Sequence, residues 1–68
     1  MTETIHLNGD PHPFIPGQTV ADLLAALAID ANKIAVERNE AIVPRSLLAI
    51  TRLAPGDALE IVHFIGGG

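Results

Sequence analysis

Apolar and polar positions alternate from Thr4 to Asn8, with Ile5 and Leu7 on one side and Thr4, His6 and Asn8 on the other, the period of a half-buried strand. Asn8-Gly9 comes next, a pair that tolerates the positive φ of a two-residue hairpin turn. His12-Pro13-Phe14-Ile15-Pro16 reads as a short second strand whose prolines cannot donate to a ladder, which places it at a sheet edge, and Pro16-Gly17 closes it. The period then changes. Val20, Leu23, Leu24 and Leu27 fall on one helical stripe, and Ala25, Ala26 and Ala28 favour helix. Thr19 is placed to cap this helix and Asp22 to complement its positive end, and the pattern predicts a helix ending near Ile29.

Alternation returns from Lys33 to Arg38, with Ile34 and Val36 as the apolar set of a third strand. Asn39-Glu40 supplies a turn into Ala41-Ile42-Val43, a minimal fourth strand that Pro44 terminates. Ser46 is placed to cap a single helical turn through Leu47, Leu48 and Ile50, although the pattern leaves the form of the segment to Leu53 open. Pro55-Gly56-Asp57 is a turn, since proline fixes φ and glycine accepts the conformation beside it. Ala58 to Ile65 is the last strand, apolar apart from Glu60 and His63, and so expected to be covered on one face and partly on the other.

These elements predict an α+β fold, a ββαββ roll with one mixed sheet of four to five strands packed on one helix. The apolar first and last strands belong in the middle of the sheet and the proline-bounded ones at its edges. Residues 1–65 form the one expected domain, with a flexible tail after it, Gly66-Gly67-Gly68.

Composition narrows the function. A chain of 68 residues, 49% hydrophobic with only two Phe and no Trp or Tyr, makes one small aliphatic core and leaves no room for a deep catalytic cleft. The longest apolar run, Leu23 to Ile29, falls short of the roughly 20 residues a membrane helix requires, and the N-terminus lacks the pattern of a secretory signal. A cytoplasmic protein with no membrane partner is expected. Absence of cysteine removes disulfides, thiolate metal sites and a cysteine nucleophile. A net charge of −4 disfavours nucleic acid and favours a partner with a basic docking face. His6, His12 and His63 lie on different predicted elements and suit structural or solvated roles, with no metal site expected. The eight carboxylates are scattered and expected mostly in solvent. Phosphate-cradling and nucleophile-elbow motifs are absent.

Three consecutive glycines suit a frayed end as well as a working one. Residues without Cβ thread a narrow cleft in extended form, and a glycine carboxylate has no substituent hindering attack at its carbon. The Gly68 carboxylate is therefore the candidate reactive group, with Gly66 and Gly67 giving it reach. In the alternating last strand Leu59 and Ile61 are expected to face the helix. That leaves Val62, Phe64 and Ile65 beside the tail as candidates for partner contact, with core packing the rival role for Phe64. Arg45 fits a surface ion pair or a partner contact equally.

Four segments in order carry a resemblance that spans the chain: Gly17-Gln18-Thr19-Val20, Ile34-Ala35-Val36-Glu37-Arg38-Asn39, Ile42-Val43-Pro44-Arg45-Ser46, and Gly56-Asp57-Ala58-Leu59-Glu60-Ile61-Val62 before the glycines. Together they resemble the ThiS sulfur carriers of thiamine biosynthesis, ubiquitin-like β-grasp proteins of the MoaD/ThiS superfamily. The sequence departs from that pattern in having three glycines where two are common, and Leu47-Leu48 where an aromatic is frequent. The resemblance implies a protein co-substrate rather than an enzyme. The Gly68 carboxylate would be adenylated by an E1-like, ThiF-type partner and converted to a thiocarboxylate by a persulfide donor, a cysteine desulfurase or equivalent. Thiazole synthase (ThiG) would then use the sulfur. No cofactor would be held stably, ATP being consumed in the partner's active site. Carriers for molybdopterin synthesis or tRNA thiolation share the mechanism, and a TGS-type β-grasp module is the alternative from another class. Val43-Pro44-Arg45-Ser46 favours thiamine, and the acidic chain with its glycines speaks against the TGS reading.

Overall fold

The computed structural model describes residues 3–64. Strands β1 (Glu3–Leu7) and β2 (Asp10–Phe14) form an antiparallel hairpin. Asn8 and Gly9 take φ of 49° and 87°, the two positive values a type I′ turn requires and glycine meets without strain. The second strand begins two residues before His12 because the tight turn lets Asp10 pair with Leu7. Ile15 lies beyond the strand, exposed.

Helix α1 spans Val20–Ala26 and opens with a capping box. Thr19 Oγ1 accepts the Asp22 N–H at 3.1 Å, and Asp22 Oδ2 accepts the Thr19 N–H at 3.0 Å. The helix stops three residues short of Ile29. Ala28 takes a left-handed φ of 57°, its N–H donates to Ala25 O, and the Ile29 N–H reaches back to Leu24 O. That is a Schellman closure, and Ile29 packs on the core as its apolar partner rather than as a helical residue. Glycine normally holds this position. Ala28→Gly is expected to raise unfolding stability by about 0.5–1 kcal/mol in a urea titration, since left-handed strain on a Cβ exceeds the added chain entropy.

A 3₁₀ turn, Ala31–Lys33, is capped by Asp30, whose Oδ1 accepts the Asn32 N–H at 2.9 Å; it takes Lys33 out of the third strand. β3 (Ile34–Arg38) and β4 (Ala41–Val43) then form a second hairpin through Asn39 and Glu40, both at positive φ. A further 3₁₀ turn occupies Arg45–Leu47, with Pro44 at the cap position, so Ser46 sits inside the turn and caps nothing. The segment after it serves the helix. Leu48 O and Thr51 O accept the Ala21 and Val20 N–H groups, which no carbonyl within α1 could take. β5 (Ala58–His63) completes the sheet.

Strand order is β2-β1-β5-β3-β4, parallel between β1 and β5 and antiparallel elsewhere. As expected, the first and last strands are neighbours and the two strands with prolines in or beside them, β2 and β4, lie at the edges. One face of this mixed sheet packs on α1 through Ile5, Ile34, Val36, Leu59 and Ile61 against Val20, Leu23 and Leu24, with Phe14, Leu48 and Leu53 completing the core. The other face of β5 is open: Ala58, Glu60 and Val62 are all exposed, so the partial cover expected there is missing. No helix among the described residues is long and apolar enough to cross a membrane.

Candidate functional site

The open face of the sheet is assembled by alternation and register. Leu59 and Ile61 turn inward to α1, which sends Ala58, Glu60 and Val62 outward. Opposite them on β3 stand Glu37 against Glu60 and Ala35 against Val62, and β4 adds Ile42 beside Glu37. Val62 is 51% exposed, Phe64 59% and Ile42 71%. The result is an apolar border around a pair of carboxylates directly across from each other. Such a like-charge pair weakens a sheet by a few tenths of a kcal/mol up to about 1 kcal/mol. With Glu40 and Ala58 the two glutamates line a shallow depression.

Of the predicted site residues, Val62 lies exposed on β5 and Phe64, expected within the strand, lies exposed one residue past its end, and the exposure of Phe64 removes core packing as its role. Phe64 is held by its backbone, its N–H donating to Lys33 O at 3.0 Å. Ile65, Gly66, Gly67 and Gly68 lie outside the described residues. Arg45 is exposed, and among the described residues no ion pair includes it. His6, His12 and His63 sit on β1, β2 and β5, and no group of three or more His, Asp or Glu among the described residues is placed to hold a metal ion.

Two features escaped the sequence reading. Glu37, Ile42 and Glu60 share the face with Val62, and the Asn39-Glu40 hairpin register would have placed Ile42 beside Glu37. The second is Asp57, an exception to the solvated carboxylates at 5% exposure. Its Oδ2 accepts from Arg38 Nε at 3.0 Å and the Ala54 N–H at 2.9 Å, and its Oδ1 accepts from Asn39 Nδ2 at 3.0 Å. Asn39 Oδ1 in turn accepts the Ala58 N–H. Burial by itself raises the Asp57 carboxyl, but the Ala54 N–H, the Asn39 amide and the Arg38 guanidinium together hold it below its ordinary value. This network fixes the start of β5 against the β3–β4 turn.

Residues 5–68 match the model of the ThiS family. A thiazole synthase from Magnetococcus marinus is 48% identical over 64 residues, which cover 94% of this chain and 20% of that protein, so the chain spans about a fifth of its length. The sulfur carrier protein ThiS of Bacillus subtilis is 40% identical over 50 residues, 74% of this chain and 76% of that one. Among solved structures, the thiamine biosynthesis protein ThiS from Geobacter metallireducens superposes with a TM-score of 0.79 at 33% identity, covering 96% of this chain and 99% of that one.

Proposed function

Since the chain belongs to the ThiS family, we propose that it is a sulfur carrier for thiamine thiazole synthesis whose working group is the Gly68 carboxylate. The observation that supports this most is the family match running through the glycines to residue 68. In the proposed cycle the carboxylate oxygen attacks the α-phosphate of ATP within a ThiF-type partner, expelling pyrophosphate and forming an acyl-adenylate. The terminal sulfur of a persulfide then displaces AMP, and a thiol cleaves the resulting S–S bond to leave a thiocarboxylate. With no cysteine in the chain, both sulfur donor and thiol belong to partners. A thiazole synthase is the proposed acceptor, in keeping with the similarity of this chain to one segment of such a protein.

The exposed border of Val62, Phe64 and Ile42 gives the adenylating partner an apolar surface at the root of the tail, and Glu37 and Glu60 suit a cationic side chain set within the complementary surface. Phe64 contributes area to this contact and little to the core. Carrier-dependent ATP–pyrophosphate exchange tests both points. Phe64→Ala is expected to raise the half-saturating carrier concentration about tenfold, the loss of a well-packed aromatic anchor, with the saturating rate and the thermal midpoint near those of the parent. An exchange reaction that ignores the parent chain would refute the carrier reading, whereas a large fall in the midpoint of the variant would return Phe64 to a structural role.

A further inference from the structure

β5 loses its neighbour on one side before the other. β3 stays paired with it as far as His63, and Lys33 O then takes the Phe64 N–H. β1, by contrast, pairs only at His6↔Ala58 and Leu7↔Leu59 before the chain turns away at Asn8. A side chain carries the ladder onward. Asn8 Oδ1 accepts the Ile61 N–H at 2.7 Å, and Asn8 Nδ2 donates to Ile61 O at 3.4 Å, while the Asn8 backbone N–H donates to Leu59 O at 2.8 Å. A primary amide presents an acceptor and donors in one plane, as a peptide group does. The Asn8 side chain thus stands in for the next peptide of β1 and ties β5 two residues nearer its C-terminal end.

The turn alone does not call for this amide. Asn8 has a φ of 49°, which glycine accepts at least as readily, so the two contacts to Ile61 are what distinguish asparagine here. Resting on the carrier reading, we propose that Asn8 is a positioning residue. By clamping Ile61 on the side of β5 that β1 has left, it keeps that strand bound on both edges two residues further along, with β3 holding the other edge, while a partner draws on the residues that follow. Misplacing a reacting group by even about 1 Å costs up to about a hundredfold in rate. Loss of the clamp therefore acts on the reaction of the docked carrier rather than on docking, which uses the outward-facing side chains of the sheet.

Asn8→Gly keeps the turn and removes the clamp; Asn8→Asp keeps an acceptor for the Ile61 N–H and removes the donor. In ATP–pyrophosphate exchange with a ThiF-type enzyme, the glycine variant is expected to lower the saturating rate about tenfold with its half-saturating concentration within about twofold of the parent. The aspartate variant recovers most of the rate, and it decides the matter alone should the glycine variant fail to fold, through a smaller loss in the same parameter. Backbone amide exchange at Ile61 accelerates selectively in Asn8→Gly. A folded glycine variant with the parent's saturating rate, a change confined to half-saturation, or an aspartate variant with either of those profiles would overturn the proposal. A parent chain that supports no exchange would instead overturn the carrier reading beneath it.

Discussion

Replacing Asp57 by alanine is expected to lower unfolding stability by about 2–3 kcal/mol, because its carboxylate is the shared acceptor of three donors and a buried donor left unpaired costs about 1–3 kcal/mol. The upper part of that range for each donor does not apply. The Arg38 side chain is 35% exposed and Asn39 lies at the surface, so water recovers part of what they lose. Ala54, which donates through its backbone N–H, is half-buried. For a domain of this size the change corresponds to a fall in the thermal midpoint of roughly 10–20 °C, readable by circular dichroism. Asp57→Asn gives a smaller loss, since one acceptor oxygen survives but an NH₂ group now faces donors.

The same residue sets an acid dependence. A carboxyl whose folded value lies below its ordinary one binds its proton more readily in the unfolded chain. Its contribution is fully present above the ordinary carboxylate value of about 4 and is lost as pH falls through the lower, folded value. Stability of the parent should accordingly drop more steeply below about pH 4 than that of Asp57→Asn, for which this group no longer titrates.

Local chemistry made much of the fold legible. Asn8-Gly9 announced its turn, Thr19 and Asp22 announced the capping box, and the alternation in Ala58 to Val62 separated inward Leu59 and Ile61 from outward Val62. Most of the features that stayed hidden depend on residues distant in sequence. Asp57 reads as one more turn aspartate until Arg38 and Asn39, on the far side of β4 and the 3₁₀ turn after it, are brought to it. The segment after Pro44 has no period of its own, because its role is to present Leu48 O and Thr51 O to the first amides of α1. The early stop of the helix was masked by Ala28, which has high helix propensity yet occupies a left-handed position where glycine would have marked the end. On the open face, the exposure of Val62 and Phe64 was legible from strand parity and their place near the glycines, whereas the facing of Glu37 and Glu60 needed the β3–β5 register.

The second large effect concerns the Gly68 carboxylate, and in the proposed cycle it is all or none. In that proposed cycle an acyl-adenylate forms only if the carboxylate reaches the α-phosphate, and removing Gly68 shortens the chain by about 3.5 Å, more than an in-line displacement tolerates. Deleting Gly68 is therefore expected to abolish sulfur transfer while leaving the packed core, which is built from residues between Ile5 and Ile61, untouched. The most direct measurement is the intact mass of the chain after incubation with ATP, Mg²⁺, a ThiF-type adenylating enzyme, a persulfide donor and a thiol. The predicted result is a gain equal to the difference between one sulfur and one oxygen atom, located by fragmentation at Gly68 and absent from the chain that lacks it. An unchanged mass alongside an enzyme shown to be active on another carrier, or the same gain in the chain without Gly68, would contradict it.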